Sequence, residues 1–273
     1  MSAKPAVYRQ KKRKIFVNLK KSEPALKALI LAAGMGTRLM PLTANTPKAL
    51  VSINGVTLLE IAIRKLTRDG FTDIIVNVHH HAGMIKEFLN RHQFQGANIS
   101  ISDESGQLLD TGGAILKARR FLDGQEPFLV HNVDVISDIS LQALLSEHFK
   151  RGGVATLSVS ERQTRRYFLF DDILKLRGWT DSSSGEIRWA GDPIQQARPL
   201  AFNGIHIINP EIFRLMEEEG RFSIIDTYLK LTKTKSIYGY LQPGQTWFDL
   251  GKPDQLAVVS MFLTDHPEYT AQL

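Results

Sequence analysis

The chain has 273 residues, of which 43% are hydrophobic, and its formal net charge is +6. This length allows one large α/β domain with a sizeable core. The absence of cysteine excludes a disulfide framework, a thiolate zinc site and a cysteine nucleophile. The sequence contains no run of about eighteen apolar residues, so no membrane span is predicted.

The positive charge is concentrated at the N-terminus. Residues 1–27 contain nine Lys or Arg and one Glu, whereas the rest of the chain carries 25 basic and 27 acidic residues. We therefore predict a basic extension at residues 1–26 and one folded domain at residues 27–273. Lys11-Lys12-Arg13-Lys14 has no interleaved aromatic residue and no DNA-binding motif follows, so nucleic acid is not expected as a partner. No apolar secretion signal precedes this segment, so a cytoplasmic protein is expected.

The first predicted element is a buried parallel strand at Lys27–Ala33, where an apolar run meets a glycine-rich loop. The loop contains Arg38, and its pattern continues through Pro41-Leu42-Thr43 to Pro47-Lys48. Two glycines let backbone N–H groups approach a phosphate closely, and Arg38 and Lys48 add two cations. The sequence therefore predicts a nucleoside-triphosphate site, with nucleotide contacts from Ala33, Gly34, Met35, Gly36 and Thr37.

Two other phosphate-binding loops are excluded at this position. A dinucleotide-binding fingerprint needs a third glycine three residues after the second, where this chain has Leu39. A P-loop needs a Gly-Lys-Ser/Thr triplet, and none follows Gly34. The remaining alternative is a tight turn with an incidental arginine, and the agreement of so many positions disfavours it.

Strands and helices alternate along the first part of the chain. After the first strand, strands are predicted at Asp73–Val78, Asn98–Ser102, Pro127–Val130 and Val154–Val159. Helices are predicted between them at Leu58–Arg68, Met84–Arg91, Ala114–Phe121 and Leu141–Phe149. This alternation is typical of an α/β protein with a Rossmann-like, mostly parallel mixed sheet that is covered by helices on both faces.

Beyond Val159 the pattern changes to short apolar runs between Arg166 and Gly191, interrupted by a polar turn at residues 181–185. Such runs predict antiparallel ribbons, and hence a small β-rich subregion for the substrate. The remaining predicted elements are strands at Ala201–Ile208 and Ser236–Leu241 and helices at Pro210–Glu219, Phe222–Lys230 and Pro253–Leu263.

Two carboxylates follow predicted strands. Asp134 comes just after Pro127–Val130, and Asp249 lies in Trp247-Phe248-Asp249-Leu250-Gly251. Ligands of open α/β sheets bind at the carboxyl ends of the strands, and Mg²⁺ prefers carboxylate oxygens. By position alone, Asp134 could instead form a turn or cap a helix.

Two further motifs are ambiguous from the residues alone. Asp110-Thr111-Gly112-Gly113 is a second glycine-rich turn, which could equally serve chain reversal with close packing. His79-His80-His81 suggests a metal site, but adjacent residues on a strand point to opposite faces. A base-contacting or solvated role is therefore favoured for these histidines.

Over residues 27–263, these motifs resemble those of the sugar-1-phosphate nucleotidylyltransferases. The resemblance implies a reaction in which a sugar-1-phosphate and a nucleoside triphosphate give a nucleoside-diphosphate-sugar and pyrophosphate. It also implies that Asp134 and Asp249 bind Mg²⁺. One departure is Val133, which stands where the family string Asn-Gly-Asp has glycine.

The resemblance implies further contacts. Thr111 and Gly112 would line the nucleoside pocket. Asn203, Gly204 and Asp226 would face the sugar. From its position in the sequence alone, Asp226 is instead expected to be a carboxylate in the first turn of a helix. The family's Glu-Lys-Pro segment, whose lysine holds the sugar phosphate, is absent here. Within residues 160–167, Arg165 or Arg166 could replace it and we assign Arg166; the alternative is a pair of solvent-facing arginines.

The expected mechanism needs no general base, because the attacking phosphate oxygen is already an anion. Alignment and charge neutralisation would supply the catalysis. We assign Arg38 to the β- and γ-phosphates and the departing pyrophosphate, and Lys48 to the α-phosphate and the sugar phosphate.

Among subfamilies, the strings around Thr111, Asn203 and Asp249 most resemble the N-acetylmuramate-1-phosphate uridylyltransferases of peptidoglycan recycling, so UTP is the expected nucleotide. Glucose-1-phosphate and mannose-1-phosphate nucleotidyltransferases stay open. An inactive nucleotide-sugar sensor is a further alternative, but it should lack Arg38, Lys48 or a metal carboxylate. The sequence does not indicate an oligomeric state.

Overall fold

The computed structural model describes residues 25–251 and 254–267, so the predicted basic extension lies outside the described residues except at its end. The strands are β1 (Leu26–Leu31), β2 (Ser52–Ile53), β3 (Val56–Thr57), β4 (Phe71–Val78), β5 (Asn98–Asp103), β6 (Phe128–Asn132), β7 (Val135–Ser137), β8 (Ala155–Ser160), β9 (Arg166–Phe170), β10 (Leu176–Asp181), β11 (Glu186–Trp189), β12 (Arg198–Ile208), β13 (Ile237–Leu241) and β14 (Trp247–Asp249). The helices are α1 (Leu58–Arg68), α2 (Ala82–Arg91), α3 (Asp110–Lys117), α4 (Arg119–Leu122), α5 (Leu141–Arg151), α6 (Ile212–Leu215), α7 (Ile224–Leu231) and α8 (Asp254–Asp265).

A ten-stranded mixed sheet forms the centre of the molecule, in the order β11-β10-β9-β12-β6-β1-β4-β5, with β8 paired to β12 and β13. β1 runs parallel to β4 and β6, and β4 runs parallel to β5. The long strand β12 runs antiparallel to β6, β8 and β9. The predicted α/β fold with a mixed sheet is therefore confirmed, and the antiparallel ribbons β9–β11 form the expected β-rich part.

Apolar layers cover both faces of this sheet. Along β1, Ala28 and Ile30 pack into one layer and Leu29 packs into the other, because successive strand residues point to opposite faces. Helix α1 covers the first layer, and its start is capped by Thr57, whose hydroxyl accepts a hydrogen bond from the Glu60 N–H at 3.2 Å. Helix α7 covers the second layer with the fully buried Tyr228.

One predicted helix is much shorter than expected. Instead of Pro210–Glu219, only the single turn α6 is helical, and Met216 is extended (φ −70°, ψ 125°). The Phe222 N–H then donates to the Leu109 carbonyl at 3.1 Å. Packing of this segment beside α3 thus overrides the local helical preference.

Within the described residues, no helix combines the length and apolar character needed to cross a bilayer.

Candidate functional site

The glycine-rich loop follows β1 and is fixed by side chains from neighbouring elements. The Asn77 Oδ1 atom accepts hydrogen bonds from the N–H groups of Ala32 (2.7 Å) and Ala33 (3.2 Å). Gly36 adopts a φ of +66°, and a Cβ there would lie 2.9 Å from the Thr43 Cγ2 atom. The Thr43 hydroxyl also donates to the Gly36 carbonyl at 2.8 Å. Gly36 is therefore needed both for its backbone conformation and for this close packing.

The loop borders an open cavity of about 390 Å³. Residues 31–39 form one wall of the cavity, Thr111 on α3 lies on another, and residues 132–134 line it at the end of β6. Arg38 and Lys48 also line it. Its volume lies within the range of small-molecule pockets, which is about 300–1,000 Å³. All five predicted loop contacts, from Ala33 to Thr37, therefore border a cavity large enough for a ligand.

Strand pairing brings the two aspartates together. β7 pairs antiparallel with β14, which places Asp249 opposite Val135, the residue after Asp134. The Leu250 N–H donates to the Asp134 carbonyl at 2.9 Å. Burial raises the pKa of Asp249, and the neighbouring negative charge of Asp134 raises it further. The Asp249 Oδ1 atom is buried and has no hydrogen-bond partner among the described residues.

Both predicted cations lie beside this acid pair. Lys48 forms an ion pair with Asp134, and only 9% and 18% of the two side chains are exposed. The Arg38 guanidinium lies 4.0 Å from the Asp249 carboxylate and is 63% exposed. A Cβ at Gly251 would lie 2.8 Å from the Arg38 Cζ atom. Arg38 can therefore approach the acid pair because residue 251 lacks a side chain.

The acid pair suits a divalent cation. Two adjacent carboxylates, one with an unpartnered buried oxygen, offer the hard oxygen ligands that a divalent cation prefers. In the described part of the chain, no group of three or more His, Cys, Asp or Glu residues could hold a metal. A cation bound by Asp134 and Asp249 would thus take its remaining ligands from water or substrate oxygens.

The histidines at positions 79–81 form a turn after β4 rather than part of a strand. His79 Nδ1 lies 2.6 Å from the Glu104 carbonyl oxygen, and His81 occupies the residue before α2 with a φ of +53°. The Glu104 contact gives His79 a local structural role, and the base-contacting or solvated role of these histidines stays a prediction.

The second glycine pair lies inside helix α3 rather than in a turn before it. Thr111 lines the cavity, whereas Gly112 does not. The Gly112 N–H donates to the Phe222 carbonyl at 3.0 Å, and a Cβ there would lie 2.3 Å from the Phe222 ring. This geometry gives Gly112 a packing role, and its contact with the nucleoside stays a prediction.

The residues expected to contact the sugar do not line this cavity. Asn203 is fully buried; its amide donates to the Ser158 hydroxyl at 3.1 Å and accepts from the Ser160 hydroxyl at 2.8 Å. Gly204 has a φ of +75°, and a Cβ there would lie 2.7 Å from Asn132 Nδ2. In this structure both residues make contacts with neighbouring strands, Asn203 with β8 and Gly204 with β6. The buried Asn203 amide is therefore not accessible to a sugar.

Two other expected sugar contacts are engaged elsewhere. Asp226 on α7 accepts a hydrogen bond from the Arg188 guanidinium at 2.7 Å. Arg166 pairs with Asp181 at 3.2 Å and is 67% exposed. Neither residue lines the cavity, so the assignment of Arg166 to the sugar phosphate is not supported by its position.

Asn77, Glu104 and Arg221 also line the cavity, and the sequence analysis did not single them out. Asn77 and the fully buried Glu104 hydrogen-bond to each other at 2.8 Å, and burial raises the Glu104 pKa. A polar residue inside the apolar run of β4 was the available signal for Asn77. Arg221 lies in the non-helical segment that follows α6, and it borders the cavity. No local pattern in the sequence indicates this position.

Comparison with known proteins identifies the family of the chain. A family model described as nucleotidyl transferase matches residues 27–266. The N-acetylmuramate alpha-1-phosphate uridylyltransferase of Caulobacter vibrioides is 31% identical over 238 residues, which cover 83% of this chain and 92% of that protein. Mannose-1-phosphate guanyltransferase 2 of Candida glabrata is 30% identical over 251 residues, which cover 89% of this chain and 67% of that protein.

Among solved structures, a UDP-glucose pyrophosphorylase from Acinetobacter baumanii is similar with a TM-score of 0.74 and 18% identity, covering 89% of this chain and 94% of that one. HddC from Yersinia pseudotuberculosis has a TM-score of 0.71 and 20% identity, covering 87% and 99%. These two likenesses show the fold. Together with the sequence relatives and the match over residues 27–266, they show that the chain belongs to the nucleotidyl transferase family and is a sugar-1-phosphate nucleotidylyltransferase.

Proposed function

We propose that the chain transfers the uridylyl group of UTP to N-acetylmuramate-1-phosphate, with pyrophosphate as the second product. This choice of substrates is supported by the share of each relative's length that aligns with the chain. The chain covers 92% of the uridylyltransferase from Caulobacter vibrioides but 67% of the guanyltransferase from Candida glabrata. The aligned region therefore accounts for nearly the whole of that uridylyltransferase.

The second candidate is mannose-1-phosphate guanylyl transfer. Several proteins named mannose-1-phosphate guanyltransferase are 29–30% identical to this chain, so sequence identity alone does not separate the two activities. Glucose-1-phosphate is a third possible sugar substrate. An inactive sensor is disfavoured because Arg38, Lys48, Asp134 and Asp249 are all present and adjoin one another.

In the proposed reaction, an anionic oxygen of the sugar-1-phosphate attacks the α-phosphorus. A new oxygen–phosphorus bond forms while the bond from the α-phosphorus to the bridging oxygen of the β-phosphate breaks. Pyrophosphate leaves with that electron pair. Because no proton has to be removed from the nucleophile, the side chains act by alignment and by neutralising charge.

Arg38 would bind the β- and γ-phosphates and stabilise the charge of the departing pyrophosphate. Its exposed guanidinium lines the cavity beside the glycine-rich loop, and a planar guanidinium can bind two phosphate oxygens at once. The N–H groups of Gly34 and Gly36 lie on the same loop, where they could bind phosphate oxygens as well.

Lys48 would neutralise the α-phosphate. In this structure its ammonium group is held by Asp134 at the cavity wall. A lysine ammonium is a compact charge on a flexible chain, so it can move from a carboxylate to a phosphate at short range. The ion pair holds the lysine side chain at the site before substrate binds.

Asp134 and Asp249 would hold the divalent cation that the family uses, and we propose Mg²⁺. When bound, the cation would neutralise negative charge on the phosphate oxygens. The Asp249 Oδ1 atom supports this assignment, because it is buried and has no hydrogen-bond partner among the described residues.

Pyrophosphate release tests the substrate assignment directly. The assay combines each of the four nucleoside triphosphates with the 1-phosphates of N-acetylmuramate, glucose and mannose. We expect the highest kcat/KM for UTP with N-acetylmuramate-1-phosphate. Preference for GTP with mannose-1-phosphate would support the second candidate, and no turnover with any pair would support the sensor.

A further inference from the structure

Glu104 is a buried carboxylate at the cavity that the proposed reaction does not use. It follows β5 directly, it is fully buried, and it borders the cavity. Burial raises its pKa. Burying an ionisable group is costly unless hydrogen bonds replace the lost contacts with water. The contacts of this carboxylate therefore indicate what it does.

Both oxygens of the Glu104 carboxylate face hydrogen-bond donors. The Asn77 Nδ2 atom donates to one oxygen at 2.8 Å, and the Leu109 N–H donates to the other at 3.3 Å. An ionised carboxylate accepts hydrogen bonds at both oxygens, whereas a protonated carboxyl group carries a donor on one of them. The two contacts therefore match the ionised form of Glu104.

Backbone hydrogen bonds fix the position of Glu104. Its N–H donates to the Val78 carbonyl at 2.7 Å, and its carbonyl accepts from the Gln107 N–H at 3.0 Å. The same carbonyl oxygen lies 2.6 Å from His79 Nδ1. The residue is thus held between the end of β4 and the segment before α3, so its side chain can serve as a fixed support.

Asn77 connects this support to the glycine-rich loop. Its Oδ1 atom accepts from the N–H groups of Ala32 and Ala33, and its Nδ2 atom donates to Glu104. A side-chain amide has its acceptor and its donors on opposite sides. The bond to Glu104 therefore directs the amide oxygen of the buried Asn77 toward the start of the loop.

The next backbone donors of the loop are open to a ligand. Among the described residues, the N–H groups of residues 34–36 have no hydrogen-bond acceptor. Asn77 binds the two N–H groups just before them, so the start of the loop is fixed while the following donors stay free. Backbone N–H groups in such a loop can bind phosphate oxygens, and a loop that is already ordered loses less entropy when it binds them.

We propose that Glu104 is a positioning residue for nucleotide binding: its ionised side chain orients Asn77, and Asn77 holds the glycine-rich loop ready for the triphosphate. This inference rests on the proposed function, in which that loop binds the phosphates. Glu104 also accepts from the Leu109 N–H, directly before α3. One carboxylate therefore joins two walls of the cavity.

The first test is Glu104→Gln, which keeps the shape of the side chain. Glutamine offers one oxygen and one amide nitrogen, so one of the two donors would face another donor. Calorimetry without sugar-1-phosphate, using the triphosphate that wild type turns over best, should give a dissociation constant raised about tenfold. KM for the sugar-1-phosphate at saturating triphosphate should stay within about twofold.

Asn77→Ala removes the acceptor of both loop N–H groups and should weaken triphosphate binding at least as much. The double variant distinguishes a positioning role from a direct contact. If Glu104 acts through Asn77, adding Glu104→Gln to Asn77→Ala should change the dissociation constant by no more than about twofold. If Glu104 itself contacted the nucleotide, the two losses would multiply, and the inference would be wrong.

The matched control is Thr156→Val, which removes another buried hydrogen bond. The Thr156 hydroxyl lies 2.9 Å from His148 Nδ1, and neither residue lines the cavity. This variant should lose stability but keep the triphosphate affinity of wild type. Hydrogen exchange, followed by mass spectrometry, should be faster for the amides of residues 32–36 in Glu104→Gln and unchanged there in Thr156→Val. Circular dichroism shows whether each variant is folded.

Wild-type triphosphate affinity in folded Glu104→Gln would overturn the inference and leave the proposed function intact. An equal loss of affinity in Thr156→Val would overturn it as well, because lower stability alone would then explain the effect. If Glu104→Gln does not fold, Asn77→Ala carries the test: a tenfold loss supports the inference, and wild-type affinity overturns it. If wild type bound no triphosphate, the proposed function would fail and the inference with it.

Discussion

Lys48→Met should destabilise the ligand-free protein and at the same time strengthen its binding of a divalent cation. In the structure Lys48 neutralises Asp134, and both side chains are largely buried. Without the ammonium group, two carboxylates adjoin each other, and one of them already has a raised pKa. The variant therefore loses the positive charge beside Asp134, and a bound metal ion would supply another positive charge at the same place.

The structure sets the size of the expected effect. Breaking a buried ion pair costs about 3–5 kcal/mol, and the partial exposure of Asp134 places this pair near the lower value, about 3 kcal/mol. For a domain of this size, each kcal/mol lowers Tm by about 2–4 °C. Thermal unfolding should thus show a decrease of about 6–12 °C, largely restored by millimolar Mn²⁺ in the variant.

Mn²⁺ binding without nucleotide, followed by electron paramagnetic resonance, completes the assay. Lys48→Met should bind Mn²⁺ more tightly than wild type, since no lysine competes for Asp134, while turnover falls. The matched control is Lys86→Met, which removes a lysine from an exposed pair with Asp103 and should cost about 1 kcal/mol or less. Equal stability of both variants, or weaker Mn²⁺ binding in Lys48→Met, would refute this reasoning.

Three further outcomes are expected. The free energy of unfolding should fall as pH drops from about 6.5 towards 4. Burial lowers the pKa of His131 to about 4 and that of His206 to about 3, so the unfolded chain binds more protons than the folded chain in this window. Urea unfolding at several pH values should show a weaker pH dependence in His206→Gln than in wild type, and an unchanged dependence would contradict this prediction. Gly251→Ala should raise KM for the triphosphate about tenfold without unfolding the protein, because its Cβ would displace the exposed Arg38 guanidinium; wild-type kinetics would argue against the proposed role of Arg38. Gly112→Ala should cost about 1–3 kcal/mol of stability in denaturant titrations, because its Cβ would overlap the Phe222 ring, and a neutral effect would show that this contact is readily relieved.

The sequence predicted the parallel part of the fold well. The apolar run before Gly34 and the helix Leu58–Arg68 follow from local periodicity, which is a reliable signal. Asp134 and Asp249 could be expected to meet because both follow strands, and pairing of β7 with β14 brings them together.

What the sequence could not predict depends on long-range packing. Asn203 looks available to a sugar as a polar residue in an apolar strand, but β12 turns its side chain toward two serines of β8. Arg162 and Arg166 are the same residue type in one polar segment, and tertiary contacts distinguish them: Arg162 stacks over Trp247, whereas Arg166 pairs with Asp181. The same applies to Arg221, which reaches the cavity because tertiary contacts end α6 early.

The most direct test of the proposed site is a crystal structure with Mn²⁺ and a non-hydrolysable UTP analogue, in which anomalous scattering locates the metal. We expect the Mn²⁺ peak between the carboxylates of Asp134 and Asp249, with the triphosphate along the glycine-rich loop and its terminal phosphates at Arg38. A metal bound away from both aspartates, or a triphosphate outside the cavity, would contradict the account.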